Sequence, residues 1–323
     1  MNMNKTTSTH RSYWKQKKWK MMLAASILTA GAVPALFTPS VAEAAATVKP
    51  AAYINNMPAE YDVVIRQGVT YIALTELQFL GDYTFGYDNK TKQISITAGS
   101  DKYMLTPNSK TMKKNGQTAS LSSAPILVKG KAMLPLRAIG ETFGAQVRWN
   151  QAAKEAYIYN TNAAVVKDYN GSDLTAAREA AIQLPRFSDL GQPRLKVKNP
   201  LGPVDSSTAY IFEQGQKDRF FTIEDSDLVS YYTITNGNAM LKWQANLGKQ
   251  AGTIGDLFFI KAKSIAEVGN RPSVASKTLV SFKYSLMLEE TAYELMDKSG
   301  SLDSGSAAPA KGKIIVEVPG EKK

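Results

Sequence analysis

The chain contains no cysteine and only one histidine, His10, among its 323 residues. Without cysteine there is no disulfide, thiol nucleophile, thiolate metal site or lipidated cysteine anchor. The histidine lies in an N-terminal segment that we expect to be removed, so the processed chain would have no imidazole. This excludes histidine-ligated copper or zinc and a Ser-His-Asp triad. An enzyme built on this chain would have to use carboxylates, lysine, tyrosine or arginine.

The first 44 residues contain the three parts of a secretory signal. Basic residues come first, followed by the apolar run MMLAASILTAGAVPALF and the small-residue stretch SVAEAAA. We predict Sec-dependent export with cleavage between Ala44 and Ala45. A retained membrane anchor is the alternative, but Pro34 and the 17-residue length of the run argue against it. We therefore expect an extracellular or cell-wall-associated protein that has no membrane span after processing.

The net charge of the processed chain indicates which kinds of partner it could contact. Removing residues 1–44 takes away six basic residues and Glu43, so the formal charge falls from +11 to +6. A mild basic excess suits adhesion to an anionic cell-wall polymer or to peptidoglycan. The basic residues are dispersed and are not interleaved with aromatics, which argues against nucleic acid as a partner. A secreted chain without cysteine fits a Gram-positive exterior, which has no oxidising periplasm. The oligomeric state is left open.

Two segments of the chain are similar to each other. Residues 68–96, GVTYIALTELQFLGDYTFGYDNKTKQISI, align without a gap with residues 130–158, GKAMLPLRAIGETFGAQVRWNQAAKEAYI, at an offset of 62 positions. Tyr87, for example, matches Trp149. Each segment predicts a turn, a strand, a short helix and two further strands. We infer an internal duplication, in which two units too small to bury their own helices pack together.

Five residues of the second copy define its expected structure. Pro135 lacks a backbone donor, which indicates the end of a strand. Leu136 begins a helix with one apolar face, and Gly144 is placed to end that helix in the left-handed conformation. Arg137 is expected to pair with a carboxylate four residues later, fixing the strand-helix junction. Trp149 is expected to fill the core.

These residues carry a resemblance to a known family. The motif consists of Leu-Pro-Leu-Arg at 134–137, Phe-Gly-Ala at 143–145 and Val-x-Trp-Asn at 147–150, followed by a lysine turn and a final strand. In these features residues 53–160 resemble the copper amine oxidase N-terminal-like, or stalk, domain family, which is common in secreted Gram-positive proteins and is usually duplicated. The motif is eroded in the first copy, which has Ala-Leu-Thr at 73–75. The family's oxidase chemistry belongs to a separate domain that needs three copper-binding histidines, so the resemblance implies the stalk alone, without copper or another cofactor.

The second part of the chain predicts β structure. Residues 171–299 contain one leading helix and then a series of short alternating strands, which is typical of a β-sandwich. Asn236-Gly237 between alternating runs indicates a tight hairpin, because that turn needs positive φ at both positions. In the resulting register Trp243 lies on the core face. Tyr231 lies on the opposite face and is the candidate for an exposed contact.

The connecting segments complete the predicted organisation. Residues 161–170 form a polar bridge, residues 300–323 a flexible spacer and tail, and KIIVEV at 313–318 a further edge strand. The predicted fold class is therefore α+β, with a duplicated strand-helix-strand stalk domain followed by a mainly β, sandwich-like domain.

Three classes of function remain open. The favoured hypothesis is a non-catalytic cell-envelope protein whose stalk supports a β-rich binding domain. The alternative is a secreted hydrolase of envelope polysaccharide, which would need two carboxylates about 5–10 Å apart. A third class is a secreted inhibitor or partner-binding protein, marked by a large exposed apolar patch. The acidic residues that a hydrolase could use are Glu213, Glu224, Asp225, Asp227, Asp256 and Glu267.

Overall fold

The structure, a computed structural model, describes residues 48–160, 162–198, 208–248, 254–259 and 264–321. The predicted cleavage site at Ala44 and Ala45 lies outside these ranges. Strands outnumber helices and form several sheets. No helix within the described ranges has both the length and the apolar character that crossing a bilayer requires.

The N-terminal region, residues 51–159, contains thirteen strands within its described residues, one α-helix and one 3-10 helix. Its elements, in chain order, are β1 Ala51–Ile54, β2 Met57–Pro58, β3 Val64–Arg66, β4 Val69–Ala73, the 3-10 helix Leu74–Phe79, β5 Tyr83–Asp88, β6 Gln93–Ala98, β7 Asp101–Leu105, β8 Thr111–Lys114, β9 Gln117–Ser120, β10 Ile126–Val128, β11 Lys131–Pro135, α1 Leu136–Phe143, β12 Gln146–Asn150 and β13 Glu155–Tyr159.

The two similar segments of this region have the same order of elements: a hairpin, a short helix and a second hairpin. Their first hairpins join into one sheet in the order β10-β11-β4-β3. Ile72 of β4 lies opposite Leu134 of β11, and these two residues are equivalent at the offset of 62. The flanking pairs are exchanged around this point, since Tyr71 faces Pro135 and Ala73 faces Met133. The contact between the two segments is therefore symmetric.

The second hairpins of the two segments have different neighbours. Strands β5 and β6 continue into an antiparallel sheet in the order β5-β6-β7-β8-β9. Strands β12 and β13 instead pair with β1, which lies parallel to β13. Strand β1 thus lies beside β13 in the place that corresponds to that of β7 beside β6. One hydrophobic core, which includes Leu77, Ile96, Ile139 and Ile158, lies between these sheets.

The C-terminal region, residues 163–321, is built on one long sheet. Its elements are α2 Ala163–Asn170, α3 Leu174–Gln183, β14 Arg186–Ser188, β15 Thr208–Glu213, β16 Arg219–Glu224, β17 Leu228–Thr235, β18 Asn238–Asn246, a 3-10 helix Ile254–Phe258, β19 Ala266–Gly269, β20 Leu279–Ser285, β21 Glu290–Asp297 and β22 Gly300–Ala307.

The strands of the C-terminal region that the structure describes form one sheet in the order β14-β18-β17-β16-β15-β20-β21-β22, with β19 also on β18. The prediction of two facing sheets, as in a sandwich, is therefore wrong. Instead, each face of the one sheet is covered by non-strand segments. Phe220 and Phe282 pack with α3 and the C-terminal segment on one face, and Val229 and Ala245 pack with the 3-10 helix 254–258 on the other.

Two connecting segments differ from the prediction. Residues 163–170 form α2, so the segment predicted as a polar bridge is largely helical, and Asn162 caps it by accepting the N–H of Ala164. In the segment predicted as a flexible tail, residues 300–307 form β22 on the edge of the sheet. Residues 313–318, predicted as a further edge strand, do not form a strand, but Ile315, Val316 and Val318 are buried in the core.

Two buried charges on α3 hold the C-terminal segment in place. Arg178 donates to both carboxylate oxygens of Glu321, at 2.6 and 2.7 Å. Glu179 accepts the backbone N–H groups of Ile314 and Ile315 at 2.8 and 2.9 Å. The two bonds to Glu179 satisfy backbone N–H groups that have no strand partner, which helps to explain how an irregular segment can be buried.

Candidate functional site

The signature residues at the strand-helix junction have structural roles. Pro135 is the last residue of β11 and the N-cap position of α1. Leu136 is buried at the start of that helix. Gly144 ends it with φ 69° and ψ 13°, and its N–H donates to Gly140 O at 3.0 Å. The left-handed cap expected from the sequence is present.

Arg137 and Trp149 depart from their predicted roles. Arg137 is exposed, and within the part of the chain that the structure describes no ion pair joins it to Glu141. The helix packs on the core through Leu136, Ala138 and Ile139, which are buried. Trp149 is half-buried against the core, and its indole N–H donates to Gln151 at 2.7 Å.

Tyr231 is not the exposed contact that the sequence suggested. Strand pairing places Tyr231 opposite Trp243 and Tyr232 opposite Leu241, so a bulge leaves Lys242 unpaired in the register. Because a bulge reverses the side-chain alternation, Tyr231 shares a face with Trp243. Trp243 is buried as predicted, but on the opposite face from Leu241. Tyr231 is half-buried with its ring 4.7 Å from that of Phe221.

The two regions of the molecule meet at the β1–β2 turn. Asn56, with φ 71°, accepts the N–H of Arg186 at 2.8 Å and donates to Leu184 O at 3.1 Å. The hydroxyl of Tyr159 accepts the same N–H at 2.7 Å. Asn150 donates to Ser188 O at 3.1 Å. Side chains of the N-terminal region thus satisfy backbone groups at the entrance to the C-terminal sheet.

A buried charged cluster reinforces this junction. The guanidinium of Arg194 lies over the rings of Tyr53 and Tyr157, at 4.2 and 5.0 Å from their centroids, and 3.6 Å from Glu155. The Tyr157 hydroxyl donates to the same carboxylate. Burial raises the pKa of Tyr53 to about 12, an effect that Arg194 partly opposes. Burial raises the pKa of Tyr157 as well. Both rings therefore remain neutral faces for the cation.

Glu224 lies beside a second buried arginine. Burial raises the pKa of Glu224, and the positive charges of Arg186 and Arg194 lower it in part. Arg186 also lies 5.4 Å from the ring centroid of Tyr232. A buried carboxyl group with a raised pKa is a recognised sign of a functional acid. The groups around Glu224, however, are the guanidinium and aromatic groups that join the two regions.

All the other carboxylates considered for a hydrolase are engaged. Glu213 accepts from Lys277 Nζ at 2.7 Å. Asp227 accepts the N–H of Gly248 at 3.0 Å, and Glu267 accepts the indole N–H of Trp243 at 2.7 Å. Asp225 and Asp256 also have interaction partners. Within the described ranges no group of three acidic, histidine or cysteine side chains could hold a metal ion.

A large cleft opens where the two regions meet. Its volume is about 780 Å³, which lies within the range of ligand pockets. Its walls come from the β1–β2 turn, the end of β13, helix α2, the end of α3 and the Asn236-Gly237 hairpin. The described part of the lining contains amides, two tyrosines and apolar side chains, and it includes no lysine, arginine, aspartate or glutamate. The amide-bearing residues are Asn55, Asn56, Gln146, Asn160, Asn162, Asn170, Gln183, Asn236 and Asn238.

Sequence reasoning did not find this cleft. Its amides are spread from position 55 to position 238, and no motif or constant spacing links them. The Asn236-Gly237 turn was identified, but as a hairpin signal; its positive φ values of 51° and 71° confirm that prediction. A count of asparagines near predicted turns was the only signal in the sequence.

A scan of protein families finds one match, over residues 53–158, to the model described as the copper amine oxidase N-terminal domain. No curated protein matches the chain. No solved structure matches it either. The matched residues include both similar segments and the strand-helix junction of α1. Residues 53–158 are thus assigned to the copper amine oxidase N-terminal domain family, the family that the repeated motif resembles.

Proposed function

We propose that this chain is an exported, non-catalytic cell-envelope protein in which the N-terminal region supports a binding site at its junction with the C-terminal region. The observation that carries the proposal is the engagement of the six candidate carboxylates in ion pairs, hydrogen bonds or other electrostatic contacts. A general acid or base must reach the substrate, and these groups are committed to the fold instead. The domain matched in residues 53–158 is also non-catalytic in copper amine oxidases.

Export and envelope attachment rest on the sequence. The basic, apolar and small-residue parts of residues 1–44 support secretion, and the mild basic excess of the processed chain supports contact with anionic wall polymers. The proposal also includes an internal duplication of the N-terminal region. The ungapped offset of 62 and the symmetric pairing around Ile72 and Leu134 support it.

The alternative, a hydrolase of envelope polysaccharide, has one observation in its favour, the raised pKa of Glu224. The experiment therefore measures binding and turnover together. The chain beginning at Ala45 is incubated with purified peptidoglycan sacculi, and co-sedimentation and released reducing ends are both recorded. We expect sedimentation with the sacculi and no release above that of buffer.

A Glu224→Gln variant serves as the control for the alternative. Release of reducing ends that disappears in this variant, while its thermal melting is retained, would establish a hydrolase. Failure to sediment with sacculi would remove the envelope-binding role. In cells, recovery of the chain only in the membrane fraction would contradict cleavage after Ala44.

A further inference from the structure

The cleft between the two regions has a lining that restricts its ligand. Nine of its residues carry side-chain amides, each of which can both donate and accept hydrogen bonds. Among the lining residues that the structure describes, none has a cationic or anionic side chain that could neutralise a charged ligand, and burying an unpaired charge is costly. The chemistry of the lining therefore favours an uncharged ligand that is rich in donors and acceptors.

Part of the amide capacity is already used by the fold. Five of the asparagines bind backbone groups through at least one amide atom: Asn55, Asn56, Asn160, Asn162 and Asn238. Gln146 also has an interaction partner. The side chain of Asn170, in contrast, makes no hydrogen bond within the described ranges, and it is exposed. Asn162 retains its amide nitrogen, and Gln183, which donates to Glu179, retains its oxygen. Hydrogen-bonding capacity thus remains along the α2 and α3 side of the cleft.

Apolar surface lies between these amides. Leu80, Val165, Val166 and Pro185 line the same cleft, together with the half-buried ring of Tyr169. Sugar rings have hydroxyl edges and apolar C–H faces, so they match a surface on which amides and apolar side chains alternate. Aromatic side chains with a polar end suit such mixed contacts.

A neutral peptide is the other ligand with this chemistry, but the backbone of the cleft favours it less. Extended peptides gain most of their affinity by adding a strand to an exposed sheet edge. The cleft is walled mainly by turns and helices, and of the edge strand β12 only Gln146 lines it.

We propose that this cleft binds an uncharged stretch of polysaccharide, with units that present hydroxyl or acetamido groups to the asparagine side chains. The inference rests on the proposed envelope-binding function and names the ligand class of that site. A neutral ligand also changes the interaction on which binding is expected to depend. Recognition in the cleft would depend on hydrogen bonds to neutral sugar units, and only weak adhesion would depend on the charge of the polymer.

The first test uses defined probes and a steric block. Binding of the chain beginning at Ala45 to the neutral tetramer of N-acetylglucosamine, to cellotetraose and to a neutral tetrapeptide is measured by isothermal titration calorimetry. Ala163→Trp introduces a large side chain at an exposed position of α2 that lines the cleft. Ala164→Trp places the same side chain at the adjacent exposed position, which is outside the lining, and is the matched control.

We expect binding of at least one tetrasaccharide, about tenfold weaker in Ala163→Trp and within about twofold of the parent in Ala164→Trp. Thermal melting of both variants should match the parent. Binding of neither sugar, binding of the peptide alone, or equal effects of the two substitutions would overturn the inference.

The sacculus assay separates this inference from the function on which it rests. If Ala163→Trp sediments with sacculi as well as the parent does, the envelope-binding role stands and the cleft is not its site. If the parent binds a tetrasaccharide in the cleft but does not sediment with sacculi, the ligand class stands and the envelope-binding role fails.

Discussion

Strands β6 and β13 occupy equivalent positions in the two similar segments, yet they are buried differently. In β6 the apolar residues Ile94 and Ile96 are buried. The residues that alternate with them, Gln93, Ser95 and Thr97, are not buried. In β13 every residue is buried. The inward positions are alike, since Ala156 and Ile158 of β13 face the same core. The difference lies in the outward face.

The outward face of β13 forms part of the junction with the C-terminal region. Glu155, Tyr157 and Tyr159 stand where β6 has Gln93, Ser95 and Thr97. The two tyrosines pack on Phe187 of β14, with ring centroids 5.5 and 5.1 Å apart. The same strand position therefore has a partly exposed outward face in the first segment and an interface in the second. Three alternate side chains account for this difference.

The largest expected effect compares truncations at the equivalent outward positions. Tyr157→Ala removes a buried ring that packs on Phe187 and a hydroxyl that binds Glu155, so we expect a loss of about 4 kcal/mol in the free energy of unfolding. Ser95→Ala should change it by less than about 0.5 kcal/mol. Urea denaturation followed by tryptophan fluorescence measures both. Similar losses in the two variants would show that β13 is not an interface strand.

The charged group on the same face gives the second test. Glu155 and Arg194 are buried, with side chains 3% and 10% exposed, whereas the equivalent Gln93 needs no ionic partner. Arg194→Met leaves the Glu155 carboxylate without its cation, and we expect a loss of about 3 kcal/mol. Adding Glu155→Gln should restore about 1 kcal/mol or more of it. If the double variant is as unstable as the sum of the two single variants, the pair is not coupled.

Local chemistry explains which parts of this fold were predictable. Gly144 at a helix end and Asn236-Gly237 between alternating runs specify backbone conformations through their own φ preferences, and both appear as expected. The side chain of Asp173 also acts locally, capping α3 by accepting the N–H of Ala176. In each case the determining atoms lie within four residues of one another.

The features that were missed depend on distant partners. Arg178 and Glu321 are 143 positions apart, and only the folded sheet brings them together to bury a segment that reads as a tail. The bulge at Lys242 reverses the two faces of β18 from Trp243 onward, and that strand contains no glycine or proline that would indicate a bulge. The cleft is built from turns and helix ends on both sides of a junction that no sequence pattern marked.

A smaller effect concerns how the helices of the two segments end. Gly144 adopts φ 69°, whereas the equivalent region of the first segment ends at Leu80 with φ −88°. A side chain at a left-handed position costs about 1 kcal/mol, so Gly144→Ala should destabilise the chain by about that amount. Its added methyl group would contact nothing within 4 Å, so strain in the backbone is the expected cause. Leu80→Gly tests the contrast. Leu80 already has a negative φ, so glycine relieves no backbone strain there, and the variant should only lose the buried apolar contacts of the leucine side chain.

The smallest effect contrasts Glu76 with its equivalent, Ala138. Both residues are buried, but Glu76 places a carboxylate there. Its Oε1 atom accepts the N–H of Tyr61 at 2.8 Å, while its Oε2 atom makes no hydrogen bond to the described residues. Burial raises the pKa of Glu76, an effect that the Tyr61 bond partly opposes. The folded chain therefore holds this proton more tightly than the unfolded chain does.

The contribution of Glu76 to stability is consequently present below its ordinary pKa of 4.5 and is lost as the pH rises through the raised value. Glu76→Gln keeps the acceptor for Tyr61 but removes the titration, so the variant should be the more stable protein at pH 7, with a weaker decline of stability above about pH 4.5. Thermal melting of both proteins from pH 4 to pH 8 measures this decline, with the exposed Glu141→Gln as the matched control. An unchanged decline in Glu76→Gln would mean that Glu76 is solvated as the exposed carboxylates are, because a buried group with one partner must resist ionisation.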